Sequence, residues 1–563
     1  MPLAQFSLRS IRSENPVLLA LAGFVAAFVL VPVAALVYLA VTGHSSEWPH
    51  LIRYVIPRSI WVTVALLTGV AVMAGSMGIL SAWLVVSFDF PGRKTLAWAL
   101  VLPFAVPTYL AAYGYGEFLD FTGPVQTSIR SLFGFSSRAD YWFPEIRSLP
   151  GAVLVLSCVL YPYVYLTTRA LFLMQGRAAS DVARTLGAGR WSVFWRIQLP
   201  MARPALVIGI TLALMETIND IGAVEYLGVN TLTFAIYDTW LNRGDLAGAV
   251  QIACALLFLA LAAVFAERWG RRRQRYNVSR TTSAVNDIAP VPLEGARKWL
   301  ATLLCATPIA LGFGIPGYVL GRYAIKRLDQ LLDGRIYSAL IDSLAVASAT
   351  AVCTVLLAFV LAYAARVSRQ SFVSMTGKIA SFGYAIPGTV LALGVLIPLS
   401  ALDGAINDFT RSYFGISVGL LLTGSGLAIV YACSIRFLTM AEGSIESGFQ
   451  KLSPHLDMAS RTLGRSAGQT LRTVLIPMMK PAVVAAMLLV FIDTLKELSA
   501  TLLLRPFNFN TLATLVYEDA SRARVEEASV AAFIIILAGI IPVIFLSRSM
   551  INNGNRFRAY IRR

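Results

Sequence analysis

Residues 181–187 read Asp181-Val182-Ala183-Arg184-Thr185-Leu186-Gly187, and after nine further residues comes Ile197-Gln198-Leu199-Pro200. The same arrangement returns 277 positions later as Met458-Ala459-Ser460-Arg461-Thr462-Leu463-Gly464, nine residues, then Val474-Leu475-Ile476-Pro477. This offset also carries Pro204 onto Pro481, Glu216-Thr217 onto Asp493-Thr494, Asp220 onto Glu497 and Ala223 onto Ala500. An offset of 280 carries Asn230-Thr231-Leu232 onto Asn510-Thr511-Leu512, Tyr237 onto Tyr517 and Pro107 onto Pro387. A collinear series over this length is hard to obtain by chance, so the chain contains an internal repeat.

Composition says what is repeated. Of 563 residues, 57% are hydrophobic and 14% charged, and the mean hydropathy is +0.69. A soluble domain is nearer half apolar and a quarter charged. The figures exclude a disordered chain, a coiled coil and a disulfide-stapled secreted module, and leave an integral membrane protein. At about 20 residues per span, the apolar content supplies roughly a dozen helices. Cys158, Cys254, Cys305, Cys353 and Cys433 lie in or beside apolar stretches without CxxC spacing, as small hydrophobes packed among helices do. His44, His50 and His455 do not cluster, and no metal-ligand set or nucleophile–base pair stands out.

Apolar runs are expected to span near 17–41, 59–88, 95–117, 149–172, 204–224 and 246–266, then near 298–320, 339–365, 376–401, 416–438, 481–503 and 528–547. The first, preceded by Arg9 and Arg12, is too long for an ordinary signal segment and reads as an uncleaved helix. The expected fold class is therefore an all-α membrane protein of twelve transmembrane helices. The expected organisation is a six-helix repeat over 1–267, a basic linker over 268–297 and a second repeat over 298–563. The net charge of +17 gathers in alternate loops and both tails, for example Arg93 and Lys94, the Arg271–Arg273 run, Arg366 and Arg369, and Arg562 and Arg563. The positive-inside rule then places both termini in the cytoplasm, and a sequon at Asn277 falls on that side, where it is not glycosylated. Equal orientation makes the halves a parallel repeat about an axis along the membrane normal, which favours a transporter over a membrane enzyme.

The segment 178–186 is expected to form a short amphipathic helix stopped by Gly187 and Gly189. A second piece from Trp191 to Gln198 is expected to end before Pro200. On physical grounds two uses are open: docking an apolar face into a groove of another protein, or lying on lipid headgroups. The spacing resembles the E-A-A-x3-G-x9-I-x-L-P coupling motif of binding-protein-dependent ABC importer permeases, present here twice, over about 50–550. The resemblance implies that the loop docks into an ATPase subunit and transmits its closure. Carried over by position, the coupling residues are Asp181, Ala183, Gly187, Ile197, Leu199 and Pro200 in the first half. In the second they are Asp457, Ala459, Gly464, Val474, Ile476 and Pro477. The leading Glu is Asp181 in one half and Met458 in the other, with Asp457 adjacent, which implies a weaker polar contact in the second half and asymmetric coupling.

No G-x-x-x-x-G-K-[ST] phosphate loop occurs; Gly377-Lys378 is followed by Ile379 and lacks the upstream Gly. The chain is thus not expected to hydrolyse ATP or to bind a cofactor of its own. The resemblance implies ATP and Mg on separate partners, namely two copies of an ABC ATPase, together with a periplasmic substrate-binding protein. The setting is the bacterial inner membrane, with no nucleic-acid partner.

Ionisable groups within spans are functional candidates by default. Glu216 lies roughly 18 Å along its helix from the cytoplasmic end, and Asp493 is its repeat mate. Asp220 and Glu497 follow at i+4, where a continuous helix shares one face. Two readings are open: an acidic substrate pathway in which Glu216 and Asp493 hold a metal cation transiently, or carboxylates that bond to helix ends and neighbours. Lys496, in place of Asn219, is expected to pair with Glu497. Tyr237 and Tyr517 are expected in outward loops, in a binding-protein surface or in ordinary packing. Thr231–Trp240 followed by Gly244-Asp245-Leu246-Ala247 makes the chain similar to the fused ferric iron permeases; thiamine permeases are the nearest alternative, and polyamine and phosphonate permeases more distant ones. An ion-coupled secondary transporter is the alternative of another class.

Overall fold

The computed structural model describes residues 16–175, 183, 185–187, 189–271, 290–368, 371–380, 382–453 and 455–561. Asp181, Asn277, most of the basic linker, most of the expected 178–186 helix and both extreme tails lie outside them. Among the described residues, eleven helices are long and apolar enough to cross a membrane. The bent pair Arg93–Ala105 and Thr108–Phe133, 95° apart, makes a twelfth if counted as one span. The all-helical expectation is met except for a two-residue parallel pairing, Phe88–Asp89 with Val291–Pro292.

Three expected boundaries move, each at a proline. The run 95–117 is broken rather than continuous, because Pro107 sits at φ −57°, ψ 146° ahead of the helix Thr108–Leu119. Pro387, its repeat mate, holds φ −58°, ψ 145° ahead of Gly388–Phe414, so the expected 376–401 span lies later in the chain. The expected stop before Pro200 is absent. A π turn at Phe194–Gln198 leads directly into Leu199–Asn219, and a π turn at Leu471–Leu475 leads into Ile476–Lys496. A proline ring clashes with the carbonyl four residues back and offers no N–H; the wider turn accommodates both without ending the helix. These spans therefore begin about one turn before the expected 204 and 481 and end at Asn219 and Lys496.

Two compact units divide the chain, and neither coincides with a sequence half. One comprises residues 1–43 with Ser338–Thr511; the other comprises His44–Tyr337 with Leu512–Arg563. In the first, Pro16–Thr42 packs on the later helices. The carbonyl of Pro32 stands where a Cβ on Gly394 would meet it at 2.6 Å, and Tyr431 donates to the Phe28 carbonyl at 2.8 Å. In the second unit, the helices Ile56–Ser87, Leu149–Gln175 and Leu199–Asn219 approach closely through Gly78 and Gly209, whose added Cβ atoms would lie 2.6 Å from Val164 atoms. Small residues let backbones approach where lipid provides no hydrophobic drive. The helix Ile315–Lys326 joins this unit through Tyr323, which donates to Glu117 Oε2 at 3.0 Å, and it is followed by Arg327, which pairs with Glu526 at 3.1 Å.

Candidate functional site

The second loop is built from two short helical arms. His455–Thr462 is a helix with Asp457 in its first turn, where a carboxylate suits the helix dipole. Gly464, at φ 82°, ends it, with Arg465 N–H donating to the Ser460 carbonyl at 3.2 Å, the six-to-one bond of a Schellman stop. An added Cβ on Gly464 would meet nothing, so glycine is required here for its backbone conformation, not for space. Gly187 repeats the geometry at φ 89°. The buried hydroxyls of Ser460 and Thr470 bond at 2.8 Å across the turn and fasten the two arms of the loop together.

Asp457 is bound within the chain. Its Oδ2 accepts from Arg366 Nε at 3.0 Å and Nη2 at 2.8 Å, and Arg366 Nη1 also donates to the Phe449 carbonyl at 3.0 Å. The carboxylate anchors the loop helix to the end of the span Gly334–Val367. Leu186 and Leu463, repeat mates one position before the glycines, are 83% and 81% exposed. Their exposure had a sequence signal in the repeated Arg-Thr-Leu-Gly. Ala183, Ile197, Leu199, Pro200 and Val474 are half-buried, whereas Ala459, Gly187, Gly464, Ile476 and Pro477 are exposed.

The four carboxylates do not form one helical stripe. Leu199–Asn219 ends before Asp220, which is extended at ψ 122°; Ile476–Lys496 ends before Glu497, extended at ψ 121°. The i, i+4 relationship therefore does not bring either pair onto a shared face. Asp220 is buried, and its Oδ1 accepts from Ala223 N–H at 2.7 Å, capping the short helix Gly222–Tyr226. Glu497 is buried and accepts from the backbone of Ala500 and Thr501, from the Thr501 hydroxyl at 3.1 Å, and from Arg436 at 3.0 Å. The expected partner Lys496 pairs instead with Asp493, Nζ to Oδ1 at 3.1 Å, because i+3 on one helix is within reach while the chain turns away at Glu497. Bonds to helix ends hold Asp220 Oδ1 and, together with Arg436, the Glu497 carboxylate, and Glu216 and Asp493 remain half-buried on their helices. Among the described residues, no three His, Cys, Asp or Glu side chains gather as a metal-holding group.

Beyond Asp220 the chain forms Leu232–Tyr237, capped by the Thr231 hydroxyl, which accepts from Phe234 N–H at 3.3 Å. Tyr237 closes this helix and Tyr517 lies within Leu512–Ser521, short helices in the connections between membrane-crossing spans. The Tyr517 phenol donates to the Glu225 carboxylate, and its oxygen lies 3.2 Å from that of Tyr237. Burial pushes the Glu225 carboxyl upward from its ordinary range.

A profile described as the binding-protein-dependent transport system inner membrane component matches residues 17–276. The chain is 24% identical over 489 residues to an Fe(3+)-transport system permease protein of Haemophilus influenzae, covering 86% of this chain and 88% of that one. It is 32% identical over 213 residues to the sulfate permease protein CysW of Escherichia coli, covering 37% of this chain and 70% of that one. It is 28% identical over 209 residues to the molybdenum permease protein ModB of Escherichia coli, covering 36% and 88%.

Proposed function

Because the chain belongs to the family of binding-protein-dependent transport system inner membrane components, we infer that it passes ferric iron across the bacterial inner membrane. It is a multi-pass permease subunit of an ABC importer, and ATP is hydrolysed by separate subunits. The observation that carries the iron reading is extent. The Fe(3+)-transport relative is matched along 86% of this chain, whereas the sulfate and molybdenum relatives cover 37% and 36% of it. Acidic side chains within spans at Glu216 and Asp493 suit a cation and oppose an oxyanion.

In this reading the two halves are parallel repeats about an axis along the membrane normal, with both termini in the cytoplasm. Matched backbone at Pro107 and Pro387, at Gly187 and Gly464, and at Asp220 and Glu497 supports it. An operation that exchanges residues 237 and 517 passes close to the midpoint of the two phenols, which are 3.2 Å apart. Two ATPase copies engage the loops, one per half. Leu186 and Leu463 enter the ATPase clefts, since an isolated apolar side chain held out on a rigid turn fits a partner's pocket. A periplasmic binding protein delivers the ion, and Glu216 and Asp493 attract it inward.

ATP-driven uptake into proteoliposomes holding the permease with its ATPase, supplied with the loaded binding protein, tests this. Ferric iron is taken up in a vanadate-sensitive manner, whereas sulfate, molybdate and thiamine are not. Uptake of any of those three without iron overturns the iron reading, and uptake driven by an ion gradient alone overturns the ATP-driven one.

A further inference from the structure

Three hard oxygen donors converge where the helices Gly222–Tyr226, Leu232–Tyr237 and Leu512–Ser521 meet. The Tyr517 oxygen is within hydrogen-bond distance of both the Glu225 carboxylate and the Tyr237 phenol, 3.2 Å in the latter case. Tyr517 is buried, while Glu225 and Tyr237 keep partial contact with solvent. Highly charged, hard cations select oxygen ligands, and a tyrosine oxygen is an established ligand of iron. Octahedral bonds of about 2.0 Å set neighbouring ligand atoms about 2.8 Å apart, a spacing that small side-chain movements produce from the one present.

We propose that Glu225, Tyr237 and Tyr517 form an oxygen-donor station that holds ferric iron transiently on its way through the permease. This deepens the iron reading and rests on it. On arrival, each ligating phenol releases its proton to solvent and its oxygen donates a lone pair to the ion, while water fills the remaining positions. No electron moves, and the iron stays ferric. On departure the phenols regain their protons. With only three protein donors and exchangeable water in the other positions, the ion is able to leave, as conduction requires.

The experiment uses the full permease purified with its ATPase subunits in nanodiscs, titrated with ferric nitrilotriacetate. Wild type develops the visible charge-transfer band of phenolate–iron(III), saturating at one iron per permease. The band is lost in Tyr517→Phe and in the Tyr237→Phe/Tyr517→Phe double variant, and is weakened in Glu225→Gln. It persists in Tyr323→Phe, which removes a comparable tyrosine–glutamate bond outside the cluster. Iron uptake with no band in wild type, or with a band unchanged in the double variant, overturns the station and leaves the iron reading standing. Absence of iron uptake by wild-type proteoliposomes overturns the iron reading itself.

Discussion

Arg436 and Glu497 form an ion pair at 3.0 Å with side chains only 8% and 2% exposed. The same carboxylate caps Ser499–Leu504 through Ala500 and Thr501. Removing one partner of a buried pair leaves an uncompensated charge and costs about 3–5 kcal/mol. Arg436→Met is therefore expected to lower the thermal unfolding midpoint of the purified permease markedly. Adding Glu497→Gln to it recovers part of the loss, because the pair is coupled. A double variant no more stable than Arg436→Met removes the pair from the account of stability.

Gly464 is needed for its positive φ alone. Asn enters the left-handed region readily, and β-branched residues do not. Gly464→Asn is expected to retain most transport-coupled ATPase activity. Gly464→Val is expected to lose it, with roughly 1–2 kcal/mol of local strain. Equal activity in the two variants places the requirement elsewhere in the loop.

Arg366 and Asp457 act on coupling through position, since their charges face each other. Asp457→Asn is expected to reduce uptake while leaving ATPase binding measurable by co-purification. The exchange Arg366→Asp/Asp457→Arg recovers part of the activity that either single change removes. A failure to recover shows that Asp457 contacts the ATPase directly.

Glu216 and Asp493 lie half-buried within their helices. Replacing them by Gln and Asn together is expected to cut iron uptake about tenfold, equivalent to about 1.4 kcal/mol, with ATPase co-purification unchanged. Unchanged uptake assigns both to structure.

Leu186 and Leu463 are exposed beyond what a monomeric loop needs. Leu463→Asp is expected to abolish ATPase co-purification without moving the unfolding midpoint, since a surface change away from packed features alters stability by less than about 0.5 kcal/mol.

The all-helical, membrane-spanning character and the family were legible because apolar runs and fixed spacing are local properties of a chain. Pro200 was misleading because a lone proline signals a stop, and only the backbone reveals that a π turn has absorbed it. Asp220 and Glu497 share a face with Glu216 and Asp493 only on helices that continue past Asn219 and Lys496, and both helices stop there. The partner of Glu497 lay 61 positions away at Arg436, beyond any local pattern, while Lys496 stood next to it. Tyr237 and Tyr517 were recognisable as mates, but their contact depends on how distant helices pack.

The grouping of helix Pro16–Thr42 with residues 338–511 has a consequence for synthesis. This helix carries no charged residue and is the most apolar of the spans. It leaves the ribosome nearly 300 residues ahead of its packing partners, a delay of about 15–60 s at ordinary rates of translation. Through that interval an uncharged helix with every backbone bond made internally is stable in lipid. Such a helix is well suited to waiting.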